Sequence, residues 1–325
     1  MRLAIGSSNP VRIFWAAISV LVLLGCQPSV PSLKTRAETI PPDAVKMTPE
    51  TDFWPPILCD SAHWEQPVPV HGRVNTAGAE DSPFVTPDGQ NLYFFFTPDP
   101  DIPAERQVID RVTGIWWSKR SGDTWCEPER VFLGEVEALD GCEFVQGDTM
   151  WFASVRRGNY SEIDIYSARL RNGVWGDVRN VGRRLSQTLD IGEFHVSRDW
   201  QTVYFHANRP GGYGDLDIWK VGRSGDTWGT PENLGPAINS SGFDGWPYLS
   251  QDGKELWITR PGPSLWRAEL KGGEWQEPQE VMRCFAAEAS LDNAGNLYFC
   301  HHFYDTLSHM IEADIYVARP KVRMP

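Results

Sequence analysis

Three glutamates, Glu143, Glu193 and Glu288, each open a short apolar run followed by a polar turn and an aromatic pair. Ser82 and Trp246 take the matching place in two further runs. If these runs are the innermost strands of stacked sheets, their starts converge and several carboxylates meet at one mouth. Carboxylates accept hydrogen bonds from hydroxyls, and a pair of them can cleave a glycosidic bond as acid and base. The indole of Trp246 would cover the apolar side of a sugar ring. Glu80, Asp81 and Asp244 lie one or two residues earlier, and Asp244 joins Trp246, Glu143, Glu193 and Glu288 as an expected ligand-binding residue. The contrary expectation is that the glutamates cap backbone amides or pair with Arg157, Arg209 and Arg260.

Other chemistry finds less support. Asp164, Asp217 and Asp314 each begin an Asp-Ile-aromatic triplet; three copies point to bonds with loop amides, because catalysis needs one copy. The Gly211–Asp215 loop has too few carboxylates for calcium. His301, His302 and His309 form no recognised ligand spacing and read as loop residues, so neither a metal nor a cofactor is expected. The cysteines show no CxxC spacing; Cys126 and Cys142 flank one loop and are the first choice for a disulfide. No Gly-x-Ser-x-Gly occurs, and no convincing helix is present. Trp116, Trp200, Tyr160, Tyr213, Trp246 and Trp266 break the repeat pattern and are the aromatics available for a ligand.

The elements that position these residues repeat along the chain. Heads begin at Ser82, Glu143, Glu193, Trp246 and Glu288, and pair with tails at Trp64, Trp125, Trp175, Trp228 and Trp275. Between head and tail, turns at Ser121, Asn172, Ser224 and Gly272 join strands with the residues that tight hairpins require. Each unit reads as four short antiparallel strands, and such sheets bury a face only by stacking on copies. The last head has no following tail, and the first tail, Trp64, has no preceding head. The N-terminal strand therefore joins the last sheet and closes a ring. This predicts an all-β fold: a five-bladed β-propeller of four-stranded antiparallel blades over residues 51–325. A sixth blade around Phe53–Cys59 is the alternative. The tail tryptophans, with Tyr93, Trp151, Tyr204, Trp257 and Tyr298 in second strands, are expected between blades.

The heads Pro83–Phe94 and Pro247–Ile258, with Arg209–Trp219, resemble the PD40 (WD40-like) repeat of TolB-type propellers. That resemblance covers roughly Trp64–Arg319 and lacks the separate α/β domain of TolB. In blade number and in three mouth carboxylates, the chain is also similar to five-bladed glycoside hydrolases and lyases.

The ends place the protein. Arg2 and Arg12 precede an apolar run, Ile13–Gly25, too short to span a membrane. Leu23-Leu24-Gly25-Cys26 resembles the lipobox of bacterial lipoproteins, which implies cleavage after residue 25, lipidation of Cys26 and, with Gln27 next, the outer membrane of the cell envelope. Residues 26–50, rich in Pro, Ser, Thr and charge, read as a flexible tether. Loss of the leader moves the formal charge from −13 to −15, which excludes nucleic acid as a partner. The expected function is a non-catalytic binding or scaffold propeller for a carbohydrate or an envelope protein; the alternative is a glycoside hydrolase or lyase using Glu143, Glu193 and Glu288. Metabolic labelling with a fatty acid tests the anchor: Cys26→Ala should abolish incorporation, and label retained by the variant would refute lipidation there.

Overall fold

The computed structural model describes residues 34–321 except 56, 135–136, 184, 186–192 and 226. Cys26 and the leader lie outside the described residues. The fold is mostly β and consists of five antiparallel meanders. Their first three strands are Ala79–Val85, Asn91–Thr97 and Gly114–Ser121; Ala138–Gln146, Thr149–Arg156 and Asp164–Arg171; Phe194–Val196, Thr202–Ala207 and Asp217–Ser224; Gly245–Leu249, Glu255–Arg260 and Ser264–Lys271; and Ala286–Leu291, Leu297–Tyr304 and Met310–Ala318. A fourth strand follows in the first four meanders, whole as Val174–Asn180 in the second and broken into short pieces in the others.

The fifth meander obtains its fourth strand from the other end of the chain. Val68 pairs with Val317 and Pro69 with Tyr316, antiparallel, while Trp64 bridges to Pro320. A parallel bridge between Ala79 and Ala313 joins the fifth meander to the first. First strands touch in order from the first meander to the fifth, and the fifth touches the first. Leu58–Cys59 adds to the edge of the fourth meander, with Leu58 opposite Arg283, so this segment forms no sixth unit.

Side-chain packing follows the same cycle. Trp125 meets Tyr298 edge-on at 6.1 Å, Trp175 meets Tyr93 at 6.3 Å, and Trp228 meets Trp151 at 6.1 Å. Trp275 and Tyr204 join one apolar cluster. Trp64 packs on Trp257 at 6.1 Å. Each tail tryptophan thus lies against the second strand of the preceding meander, and Trp64 fills the fifth place. An indole covers ~150–250 Å² in such a position, which explains why the residue recurs.

The aspartates of the third strands divide. Asp164 accepts from the amides of Tyr160 (2.8 Å) and Ser161 (3.2 Å) and from Asn180 Nδ2 (2.7 Å). Asp217 repeats the pattern with Tyr213, Gly214 and Asn233. Asp314 instead takes a lysine. A helix absent from the sequence reading, Ala104–Asp110, follows Pro103 in the first meander; its first four residues are good helix formers, and it has no buried face. Trp116 is buried and donates to Val112 O, so it is core and offers no ligand platform.

The tether expectation is corrected from Lys34 onward. Arg36 is only 3% exposed. Its guanidinium donates to Glu80 Oε1 (2.9 Å), Val74 O (2.6 Å) and Arg73 O (2.6 Å), and lies 5.3–5.6 Å from the rings of Phe94, Phe96 and Trp116. Lys46 contacts Glu312 and both oxygens of Asp314 (2.6 Å). Met47 N donates to Glu312 (2.9 Å), Asp52 bonds buried His301 (3.0 Å), and Trp54 Nε1 donates to Tyr304 O (3.0 Å). Composition concealed this because the anchors are single residues spaced along a polar stretch.

Glu80, Glu312 and Asp314 flank the Ala79–Ala313 bridge, and burial pushes all three carboxyls up, Glu80 to about 7 despite Arg36. The strap therefore supplies the cations that let buried acids sit at this joint. Removing one partner of a buried pair costs about 3–5 kcal/mol. Arg36→Ala should lose about that much in urea unfolding, and Glu80→Gln in the same chain should recover part of it. Equal losses in the single and double variants would show that Arg36 acts by packing alone.

Candidate functional site

The mouth residues are set by a backbone irregularity shared by four first strands. Register shifts fall between Asp81 and Phe84, Gly141 and Phe144, Gly245 and Tyr248, and Ala287 and Ser290. Each contains a residue of positive φ: Ser82 (48°), Cys142 (53°), Trp246 (47°) and Glu288 (61°). An extra residue in one strand bends it and re-aims two side chains together. Non-glycine residues in this region cost about 1–3 kcal/mol each, so strain collects around one opening.

This geometry corrects the alignment of the glutamates. Glu193 and Glu288 correspond to Ser82, Cys142 and Trp246, each two residues before the position opposite the second-strand aromatic, whereas Glu143 stands one residue later. Glu143, Glu193, Glu288 and Trp246 nevertheless come together, with Ser82, Cys142, His195 and Tyr248, around one concavity of about 50 Å³. A second, of about 340 Å³, shares Glu193, Trp246 and Glu288 and adds Asp81. Its other wall is apolar: Phe95, Leu139, Ala153, Val155 and Ile163. Small-molecule sites span roughly 300–1,000 Å³.

Asp244 does not join them. It is fully buried and accepts from Ser240 N (2.6 Å), Ser240 Oγ (2.7 Å) and Arg260 Nε (2.7 Å). Asp140 plays the same part with Arg156 (2.6 Å), as does Glu80 with Arg36. The arginines expected to pair with the glutamates are engaged elsewhere: Arg157 reaches Glu137, Arg260 reaches Asp244, and Arg209 lies over Trp219.

The glutamates keep different company. Glu143 is 5% exposed, and neither of its buried oxygens has a hydrogen-bond partner among the described residues. Burial pushes its pKa well above the carboxylate range, and the charge of Glu193 adds to this against Arg130. Glu193 accepts from Cys142 Sγ at 2.9 Å. Burial raises it to about 7, with the Cys142 bond pulling down and Asp81 pushing up. Glu288 accepts from Ser82 N at 2.7 Å and is bonded to Asp81; burial, then Asp81 and Glu193, push it well up. Burial alone would raise Asp81 too, but His302 (3.4 Å) and its hydrogen bonds hold it below its usual value.

Trp246 is braced by Phe243 (5.0 Å between centroids) and His206 (5.4 Å, edge-on), and its amide donates to His206 Nδ1 (3.0 Å). Burial lowers His206 to about 4 and His195 to about 3, so both stay neutral. His195 packs edge-on between Phe144 and Tyr248, 4.6 Å from each.

Four residues of this region were read otherwise from sequence. Cys126 and Cys142 form no disulfide; all five described cysteines are free, and Cys142 serves Glu193. His301 and His302 lie in the strand Leu297–Tyr304 rather than in a loop. Strand alternation sends His301 to Asp52 and His302, with Cys300, toward Asp81. The available signal was the period of two in Leu297–Tyr304; the partner, Asp81, lies more than two hundred residues away.

No family model matches the sequence, and no curated protein matches it significantly. Similar solved structures include a protein of unknown function from Dyadobacter fermentans (11% identity, 82% of this chain and 100% of that one, TM-score 0.44). They also include an α-L-arabinofuranosidase from Lactobacillus brevis (11% identity, 75% and 90% covered, TM-score 0.47) and a xylan β-1,4-xylosidase from Bacillus halodurans (12% identity, 78% and 57% covered, TM-score 0.45). These identities carry no residue roles across. The site's own geometry corrects the expectation of a non-catalytic binding surface. Carboxyls serving as passive hydrogen-bond acceptors would be solvated and apart, whereas here they are crowded together and burial pushes all three upward.

That arrangement has a pH signature. A carboxyl kept neutral in the fold stabilises it below the usual carboxylate range, and the benefit fades as pH rises toward its folded pKa. Between pH 4.5 and about 7 the unfolded chain ionises Glu193 while the fold still holds its proton. Glu193→Gln should therefore gain stability relative to the parent across that window and level off above it. A pH-independent difference in urea midpoints would show that Glu193 ionises normally.

Proposed function

We propose that the chain is a closed five-bladed β-propeller that hydrolyses glycosidic bonds at its mouth. Closure is supported by the cycle of contacts among first strands, the N-terminal strand in the fifth meander, and the five tryptophan positions. Catalysis is supported chiefly by one observation: Glu143, desolvated and without a hydrogen-bond partner among the described residues, lies at an open concavity beside Glu193, which titrates near 7. Pairs of acids whose environments drive their pKa values apart are how acid and base are assigned.

Glycoside hydrolysis requires a proton for the departing oxygen and a carboxylate on the other face of the sugar. Glu143 would donate the proton as the carbon–oxygen bond breaks. Ionised Glu193 would take a proton from the attacking water, or attack the carbon itself; the anomer first released distinguishes these routes. Trp246 offers its indole face to the ring, and the Phe95–Leu139–Ile163 wall takes the apolar part of the substrate. The concentration of carboxyls disfavours uronic acids, so the substrate class is neutral glycosides. We also propose that the lipobox-like Cys26 anchors the protein in the bacterial envelope.

The test is a panel of 4-nitrophenyl glycosides of neutral pentoses and hexoses. At least one should be cleaved, and Glu143→Gln and Glu193→Gln should each lower kcat by about 10²–10⁴ with melting temperatures no lower than the parent's. No cleavage of any panel member, or turnover unchanged in both variants, would remove this reading.

A further inference from the structure

Asp81, on the wall of the larger concavity, belongs to a cluster the proposed hydrolysis does not use. Cys300 Sγ, one nitrogen of His302 and a carboxylate oxygen of Asp81 lie within 4.8 Å of one another. Cys300 is fully buried; the His302 side chain is 11% exposed and that of Asp81 26%. Glu288 adjoins them through its bond to Asp81. The donors reach this point from two ends of the chain. Asp81 precedes the bulge of the first meander, while Cys300 and His302, two residues apart, share a face of one strand in the fifth.

We infer that Asp81, Cys300 and His302 form a binding site for one zinc-class divalent cation. The donor set is the first argument. Thiolate with imidazole selects zinc and similar borderline ions over calcium or magnesium, which take oxygen ligands. Three protein ligands with an open fourth position are the arrangement of reactive zinc sites, and Asp81 also lines the larger concavity beside Glu288. Distance is the second. Ligand bonds of about 2.0–2.3 Å place tetrahedral donors roughly 3.3–3.8 Å apart, so side-chain rotation of about 1 Å closes the set.

The third argument is what hydrogen bonding leaves undone. The Cys300 thiol has a long bond to Glu80 O (3.5 Å) and a bond to Asp81, and His302 Nδ1 is buried with no partner among the described residues. Two carboxyls and a thiol crowd together with a single imidazole facing them. A divalent cation would satisfy all of them, release the thiol proton to solvent, and leave a coordination position for a substrate hydroxyl. His301 and His309 take no part, since Asp52 and Asp101 hold them.

The experiment needs no turnover, so its outcome is separate from that of the hydrolase reading. The full chain is stripped with chelator and titrated with Co²⁺, then with Zn²⁺. One equivalent of Co²⁺ should bind with a thiolate-to-cobalt charge-transfer band, release protons, and be displaced by Zn²⁺. Cys300→Ala should lose the band. His302→Gln, with the near-ultraviolet circular dichroism of the parent, should bind at least about tenfold more weakly, a loss typical even of an outer-shell partner. Absence of uptake by the intact chain would overturn the proposal. So would a band that survives Cys300→Ala, which would place the ion at another thiol. Should Cys300→Ala fail to fold, unchanged affinity in His302→Gln would overturn it alone.

Discussion

The joint between the two ends of the chain depends on two cations reaching buried acids. Glu80, Glu312 and Asp314 lie beside the parallel contact of Ala79 with Ala313, where burial penalises every charge. Arg36 and Lys46 come from a polar segment that makes no strand there, yet their contacts determine whether the acids can be accommodated. The site lies a few residues away on the same strands: Asp81 follows Glu80, and His302 shares the strand that carries His301 to Asp52. Support at the joint therefore also positions one side of the mouth.

Two carboxylate layers run around this opening and do different work. The outer layer, Glu80, Asp140 and Asp244, is matched to Arg36, Arg156 and Arg260. These pairs satisfy backbone and charge and leave nothing for a ligand. Further along the first strands stand Glu143, Glu193 and Glu288, which line the concavity instead. Asp140 and Glu143, three residues apart, thus differ in partners because the strand changes register between them. Asp81 sits at the change, bonded to both His302 and Glu288.

This step explains what the sequence disclosed and what it withheld. Repetition made the architecture legible: five tail tryptophans and their five second-strand partners were each named from spacing alone, since packing between like units demands like residues. The convergence of Glu143, Glu193, Glu288 and Trp246 followed from the same repetition. The assignment of Asp244 failed because a spacing argument cannot distinguish a carboxylate before a bulge from one inside it. Arg36 and Lys46 were hidden for the opposite reason. Each acts once, so no period marks it. Cys142, Cys300 and His302 acquire their meaning only from partners distant in sequence.

The pairing of Val68 with Val317 also carries a consequence for the order of synthesis. A chain made from its N-terminus displays the Val68–Pro69 edge and the Arg36 strap long before the strand that receives them exists. The first four meanders can assemble in turn, but the fifth gains its outer strand only after Met310–Ala318 has appeared. Closing so long a loop adds little entropy beyond that of a shorter one, because the cost grows only with the logarithm of length. What it adds is waiting time with a sheet edge unpaired. Folding of this protein is thus gated by its final strand, and the mouth that holds the acids is completed last.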